Sequence, residues 1–141
     1  MIEYWNSVVP PGAIVYHLGD FSFKDPELYV PFLNGRIRLV LGNHDKKRIK
    51  NKHYDLFDWV KPYYESKTED GIKVVMCHYP FERWNLSHHG SWHLHGHSHG
   101  TCRSGDLKRL DVGVDIHNFT PLRYSEVKNI MRDKPQFTEH H

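Results

Sequence analysis

At 141 residues the chain is long enough for one domain and too short for two ordinary ones, so any active site has to be assembled from elements of a single core. Its 19 basic and 17 acidic residues are interspersed, for a formal charge of +2, which excludes the long Lys/Arg tract of a dedicated nucleic-acid binder. No apolar run approaches the ~20 residues of a membrane span, and Met1-Ile2-Glu3-Tyr4-Trp5 has neither the basic nor the apolar region of a signal peptide, so a cytoplasmic location is expected.

In chain order, Glu3 to Val9 spaces Trp5, Val8 and Val9 like the end of an amphipathic helix, which Pro10-Pro11-Gly12 stops. Ala13 to Leu18 is a short apolar run ending in Gly19-Asp20, the profile of a buried strand delivering a loop. Asp25-Pro26-Glu27 reads as an N-cap, a proline at the first helical position and an acidic first turn, predicting a helix through Phe32. A second strand, Ile37 to Leu41, ends in Gly42-Asn43-His44-Asp45. Tyr54 to Tyr64 is ambiguous between helix and strand, with short strands favoured, and Lys67 to Gly71 predicts a hairpin turn.

Ile72 to Cys77 is a strand ending in His78, and a polar, aromatic loop follows from Phe81 to Gly90. Trp92-His93-Leu94-His95 alternates like a strand and runs into Gly96-His97-Ser98-His99-Gly100. Arg109 to Val114 is a further strand and Ser125 to Arg132 a C-terminal helix. One domain is expected over residues 1–133, with 134–141 a flexible tail whose His140-His141 is set aside as a tag remnant. Cys77 and Cys102 form no CxxC pair, which argues for reduced thiols and against a disulfide framework or a thiolate zinc finger.

Four predicted strands therefore end in Asp20, in Asn43-His44-Asp45, in His78 and in His97-Ser98-His99, gathering oxygen and imidazole donors at the sheet edge where α/β folds place ligands. Glycine before the polar residue lets one loop approach another closely. Carboxylate, amide oxygen and imidazole together suit manganese, iron or zinc, whereas magnesium prefers oxygen alone. Taken singly each residue has a plainer reading: Asp20 as a turn carboxylate, Asn43 as a turn residue, His78 as a satisfied core histidine. Their order and spacing favour a shared site.

Through Gly19-Asp20, Gly42-Asn43-His44-Asp45, His78 and Gly96-His97-Ser98-His99, in that order, the chain resembles the calcineurin-like metallophosphoesterase family, closest to its small bacterial and phage-type members. The likeness spans Tyr16 to about Asp115. It implies an α/β fold of two packed mixed β-sheets flanked by helices, an α/β/β/α sandwich. It also implies a centre of two divalent transition ions (Mn, Fe, Zn or Ni). Asp20 would bridge them, Asn43, His78 and His97 would complete one site, and His99 would belong to the other. Two such cations about 4 Å apart clamp phosphoryl oxygens and lower the pKa of a water between them. His44 would be the catalytic imidazole, with Asp45 orienting it.

The family pattern begins with an Asp-x-His pair on a first strand, and no such pair precedes Gly19. The expectation is a fold truncated at that strand, with one complete metal site and one reduced to Asp20 and His99, so that this chain holds one ion rather than two. A naturally one-metal form, or substitution by His17 or another residue, would also account for the missing pair. A homo-oligomer covering the gap is the expected partner, besides a small phosphate-ester substrate. Among the remaining residues, His88, His89 and His93 read as surface or supporting residues, His95 as a supporting residue and His17 as packing. Arg83 and Trp84 belong to a solvated loop with access to substrate. Lys46-Lys47-Arg48, Lys50 and Lys52 form a solvated helix face able to attract a phosphate dianion. The leading function is hydrolysis of a nucleotide-like phosphomonoester or phosphodiester. The alternatives are a catalytically impaired metal-binding or interaction module, and a nuclease, which the near-neutral charge disfavours.

Overall fold

The computed structural model describes residues 2–21, 25–96, 107–113 and 121–135. Helix α1 (Ile2–Val8) leads into strand β1 (Ile14–His17), and β2 (Arg36–Val40) precedes the one-turn helix α2 (Asp45–Arg48). Strands β3 (Trp59–Lys61), β4 (Tyr64–Lys67), β5 (Lys73–Met76), β6 (Trp92–His95) and β7 (Arg109–Asp111) follow, and helix α3 (Tyr124–Arg132) closes the described chain. The strands form two sheets, β1-β2-β3 and β4-β5-β6-β7. The first is wholly parallel. The second is mixed, because the Lys67–Gly71 turn joins β4 to β5 antiparallel while β5, β6 and β7 run parallel. The expected pair of mixed sheets is thus one parallel and one mixed.

Alternation sorts the side chains of each sheet. In β5 and β6, Val74, Met76, Trp92 and Leu94 occupy matching register positions and join a core cluster with Leu18, Val40, Val127 and Met131, so residues of both sheets and of α3 share one apolar interior. The opposite set on β2, Ile37 and Leu39, packs with Trp5, Val9, Ile49 and Phe57, which puts α1 and the segment after α2 over the outer face of the parallel sheet. Leu39, Val40 and Val75 are wholly buried. Each such side chain contributes about 2 kcal/mol of transfer free energy. The Trp5 indole nitrogen donates to the Asn34 carbonyl at 2.9 Å and the Asn34 amide side chain to the Val9 carbonyl at 3.0 Å, tying α1 to the entrance of β2.

Several boundaries differ from the sequence expectation. The Asp25–Phe32 segment forms two 3-10 turns, Pro26–Leu28 and Val30–Phe32, in place of one helix. Pro31 has no amide hydrogen to give to an α-helical ladder, and the Tyr29 and Leu33 amides close shorter bonds onto the Pro26 and Val30 carbonyls instead. Asp25 does cap the first turn, its carboxylate accepting from the Glu27 amide at 2.9 Å. The basic stretch after His44 is the single turn of α2 followed by a 3-10 turn, Asn51–Leu56, and not a continuous helix face. Strand β1 is only half buried, because β2 is its one neighbour among the described residues. No helix among the described residues is long and apolar enough to cross a membrane.

Candidate metal centre

The ends of β1, β2 and β5 converge. The chain turns sharply after Leu18: Gly19 takes φ +102° and Asp20 the left-handed φ +54°, a region that aspartate tolerates better than most side chains and that concentrates at functional sites. The approach is so close that only glycine fits. A Cβ at Gly19 would overlap the His78 ring nitrogen Nδ1, and one at Gly42 would lie 2.5 Å from Asp20 Oδ1 and 2.6 Å from its amide nitrogen. The glycine that precedes each polar residue is therefore a packing requirement of the cluster itself.

Within it, His78 is 2% exposed. Its Nδ1 lies 2.7 Å from the Leu18 carbonyl. A carbonyl only accepts, so Nδ1 carries a hydrogen, and in the neutral form of the ring the lone pair is the one at Nε2. That nitrogen faces two oxygens, Asn43 Oδ1 at 3.0 Å and Asp20 Oδ2 at 3.4 Å. Ligand bonds of about 2.0–2.2 Å place neighbouring donors about 3.0 Å apart in an octahedron and about 3.4 Å apart in a tetrahedron. Two oxygens at those separations from Nε2, with the second ring nitrogen anchored on a backbone carbonyl, make a donor set whose chemistry suits a divalent transition ion. The Gly96 amide donates to the His78 carbonyl at 3.0 Å, so the segment leading to His97 starts beside this cluster. His97 and His99, and the Gly113-Val114-Asp115 region beyond Gly113, lie outside the described residues.

Asp45 has a task that its place beside His44 did not suggest. Its carboxylate, 1% exposed, accepts the amides of Asp20 and Gly42 on Oδ2, both at 2.7 Å, and that of Phe21 on Oδ1 at 2.9 Å. It therefore locks the Asp20 loop to the Asn43 loop through backbone amides. The His44 amide in turn donates to Asp20 Oδ1 at 2.9 Å, and the imidazole itself is exposed beside Asn43. His17 is an unsuitable substitute ligand. Its Nδ1 accepts the Gly19 amide at 3.3 Å, so the neutral ring carries its hydrogen on Nε2, and burial holds its pKa down at about 4 against the pull of Asp45.

A second histidine group, Asp25, Glu27 and His53, also brings ligand-type atoms within 4.8 Å of one another. The tautomer separates it from the first. His53 Nδ1 accepts the Lys50 amide at 3.0 Å, so Nε2 is an N–H, and it faces Asp25 Oδ1 at 3.1 Å as a donor, off the angle of a formed hydrogen bond. A cation there would meet a hydrogen, not a lone pair.

One expectation about the β5–β6 loop is corrected: Trp84 is buried rather than solvated, its indole nitrogen donating to the Ser91 carbonyl at 3.2 Å. His93, on β6, is fully buried, which removes the surface alternative and leaves the supporting one. The alternating Trp92-His93-Leu94-His95 pattern signals a strand but not that its polar face is covered. That cover is the loop itself: the Phe81 ring stacks on His93 at 4.8 Å, the Phe81 amide donates to His93 Nε2 at 3.0 Å, and the Arg109 guanidinium donates to the Phe81 carbonyl. His93 Nδ1 reaches the Val75 carbonyl at 3.0 Å, and burial lowers the pKa to about 4. His88, His89 and Arg83 are exposed, as expected, and Cys77 is a buried free thiol.

No family model matches the chain. An uncharacterized protein of Methanocaldococcus jannaschii is 29% identical over 133 residues, covering 86% of this chain and 68% of its own length. The Gene 66 proteins of Mycobacterium phages D29 and L5 are each 26% identical, across 94% and 82% of this chain and 82% and 72% of theirs. Among solved structures, a protein of unknown function from Aquifex aeolicus aligns with a TM-score of 0.70 at 25% identity, over 92% of this chain and 82% of that one. The chain thus has an α/β architecture of two sheets and flanking helices, is similar in fold to that solved protein, and has relatives in an archaeon and in phages.

Proposed function

We propose that the chain is a calcineurin-like metallophosphoesterase that hydrolyses a nucleotide-like phosphomonoester or phosphodiester at the Asp20/Asn43/His78 cluster. The observation that carries this reading is the convergence of His78 Nε2, Asn43 Oδ1 and Asp20 Oδ2 at 3.0 and 3.4 Å, with the His78 ring anchored through Nδ1. Asp20, Asn43, His78 and, from outside the described residues, His97 would hold one divalent transition ion, and Asp20 with His99 would contribute to a second. Such ions neutralise phosphoryl oxygens and acidify a water. The chain's own groups do the rest. Asp45 fixes the Asp20 and Asn43 loops in register, His78 is held by the Leu18 carbonyl, and His44, exposed beside Asn43, is placed to hold a proton for the leaving oxygen. The finer architecture belongs to the same proposal: the two sheets pack as an α/β/β/α sandwich, and the edge of β1 is where the strand bearing Asp-x-His, or a second copy of the chain, pairs.

A second reading, a metal-binding module without turnover, draws on the second ion site, which the family pattern leaves with Asp20 and His99 only. Manganese-dependent hydrolysis of bis-p-nitrophenyl phosphate separates the two. Turnover lost in His44→Ala and kept in His88→Ala supports the enzyme. Absence of turnover from protein that binds manganese supports the module.

A further inference from the structure

We propose that His93 and Arg109 are positioning residues for the candidate metal centre: together they fix Phe81, three residues beyond His78, and through that short link hold the His78 ring in place. This deepens the phosphoesterase reading and rests on it for the role of His78 as a ligand. The Phe81 peptide is gripped at both of its polar atoms. Its amide donates to His93 Nε2 at 3.0 Å, and its carbonyl accepts from the Arg109 guanidinium. The ring is held as well, stacked on His93 at 4.8 Å with the two planes 10° apart, and the Tyr79 backbone lies against the same imidazole. His93 is itself tied to β5, Nδ1 donating to the Val75 carbonyl at 3.0 Å, and Arg109 is its register partner on β7.

Only Tyr79 and Pro80 separate His78 from Phe81, and Pro80 has a fixed φ, so a displacement of Phe81 has few torsions in which to dissipate. The other supports of His78 come from the ends of β1 and β6: the Leu18 carbonyl on Nδ1 at 2.7 Å and the Gly96 amide on its carbonyl at 3.0 Å. Phe81 is the attachment on the outgoing side. A ligand has to be held to within about 0.5 Å for its geometry to survive. The chemistry of the pair also argues for placement over stability. Arg109 is 7% exposed, yet its Nε meets no acceptor and the guanidinium forms no ion pair among the described residues. His93 is wholly buried. Two apolar side chains of similar volume would avoid that desolvation. What the polar pair supplies instead is direction, since its bonds to Phe81 and Val75 fix one peptide in one orientation.

The test reads the His78 ring without metal and then with it. Long-range nitrogen-15 correlation spectra of the metal-free protein, at a pH where its histidines are neutral, report which ring nitrogen carries the hydrogen, and His78→Gln identifies the signal. The unaltered protein should show His78 as Nδ1–H. His93→Phe keeps a stacking ring and removes both hydrogen bonds, and Arg109→Met removes the donor to Phe81; each should convert His78 to a mixture containing Nε2–H and weaken cobalt binding at least tenfold. His93→Gln, whose Oε1 can accept the Phe81 amide, should stay within a few-fold of the unaltered protein. Val127→Ala, a core variant on α3, should lower stability and move neither readout. An unchanged His78 signal and cobalt affinity in folded Arg109→Met would overturn the proposal, whether or not His93→Phe folds, and so would an equal loss in Val127→Ala. Tautomer shifts in the two variants, with no cobalt bound by the unaltered protein, would remove the metal reading and keep the positioning of His78.

Discussion

The amide of Asp20 and the carboxylate of Asp45, 25 residues apart, meet at 2.7 Å, and the Gly42 amide shares the same carboxylate oxygen. One buried side chain thereby holds the two loops that present Asp20 and Asn43 to His78. The phosphoesterase reading depends on that clamp as much as on the ligands.

Asp45→Asn replaces an oxygen by a donor that faces an amide. Leaving buried amides without their charged acceptor costs on the order of 3 kcal/mol, and loosened ligand support typically costs 10- to 100-fold in metal affinity. The expected outcome is a lower urea midpoint together with weaker cobalt binding in a spectroscopic titration. Unchanged binding in a folded variant would show that the clamp is not needed for the site.

Gly19→Ala and Gly12→Ala form a matched pair. Both positions have positive φ, +102° and +83°, and both variants carry the backbone cost of about 1 kcal/mol. A Cβ at Gly12 meets nothing within 4 Å, whereas at Gly19 it overlaps His78 Nδ1 and backs onto Gly42. Gly19→Ala should therefore lose manganese binding and several times more stability than Gly12→Ala. Equal midpoints for the two would mean that the loops can part without penalty.

The buried His93 makes stability depend on pH in a defined direction. Its folded pKa, about 4, lies below the ordinary 6.5, so the unfolded chain takes up a proton first. His93 therefore contributes fully above about pH 6.5, and the contribution falls as pH drops towards 4, by up to about 1.4 kcal/mol per pH unit. Protonation also turns Nε2 from the acceptor of the Phe81 amide into a donor against it. His95 is shifted down as well, by burial, and adds in the same sense. Urea midpoints across that window should fall steeply, and His93→Gln should flatten the fall by one group's share. A constant midpoint from pH 7 to 4.5 would contradict the buried neutral ring.

Much of this was legible in the residues. Gly19-Asp20 and Gly42-Asn43 marked strand ends, and the structure shows why glycine stands there: each backs onto the other loop. Apolar runs located β1, β2 and β5 to within a residue or two. What stayed hidden depends on contacts distant in sequence. Pro31 divides the segment after Asp25 because both halves find shorter hydrogen bonds, and His93 and Trp84 are buried because the Phe81 loop folds over their face of the sheet. The role of Asp45 could not be read from its neighbour His44, since its partners are backbone amides on two loops. Tautomers were likewise beyond the sequence, and they decide between the His78 and His53 groups.

The most direct measurement is anomalous diffraction at the manganese edge from crystals grown with manganese. The expected result is a peak bonded to His78 Nε2, Asn43 Oδ1 and Asp20 Oδ2, with ligand distances of about 2.0–2.2 Å. A fully metallated crystal with that cluster empty, or with the ion at Asp25, Glu27 and His53, would contradict it.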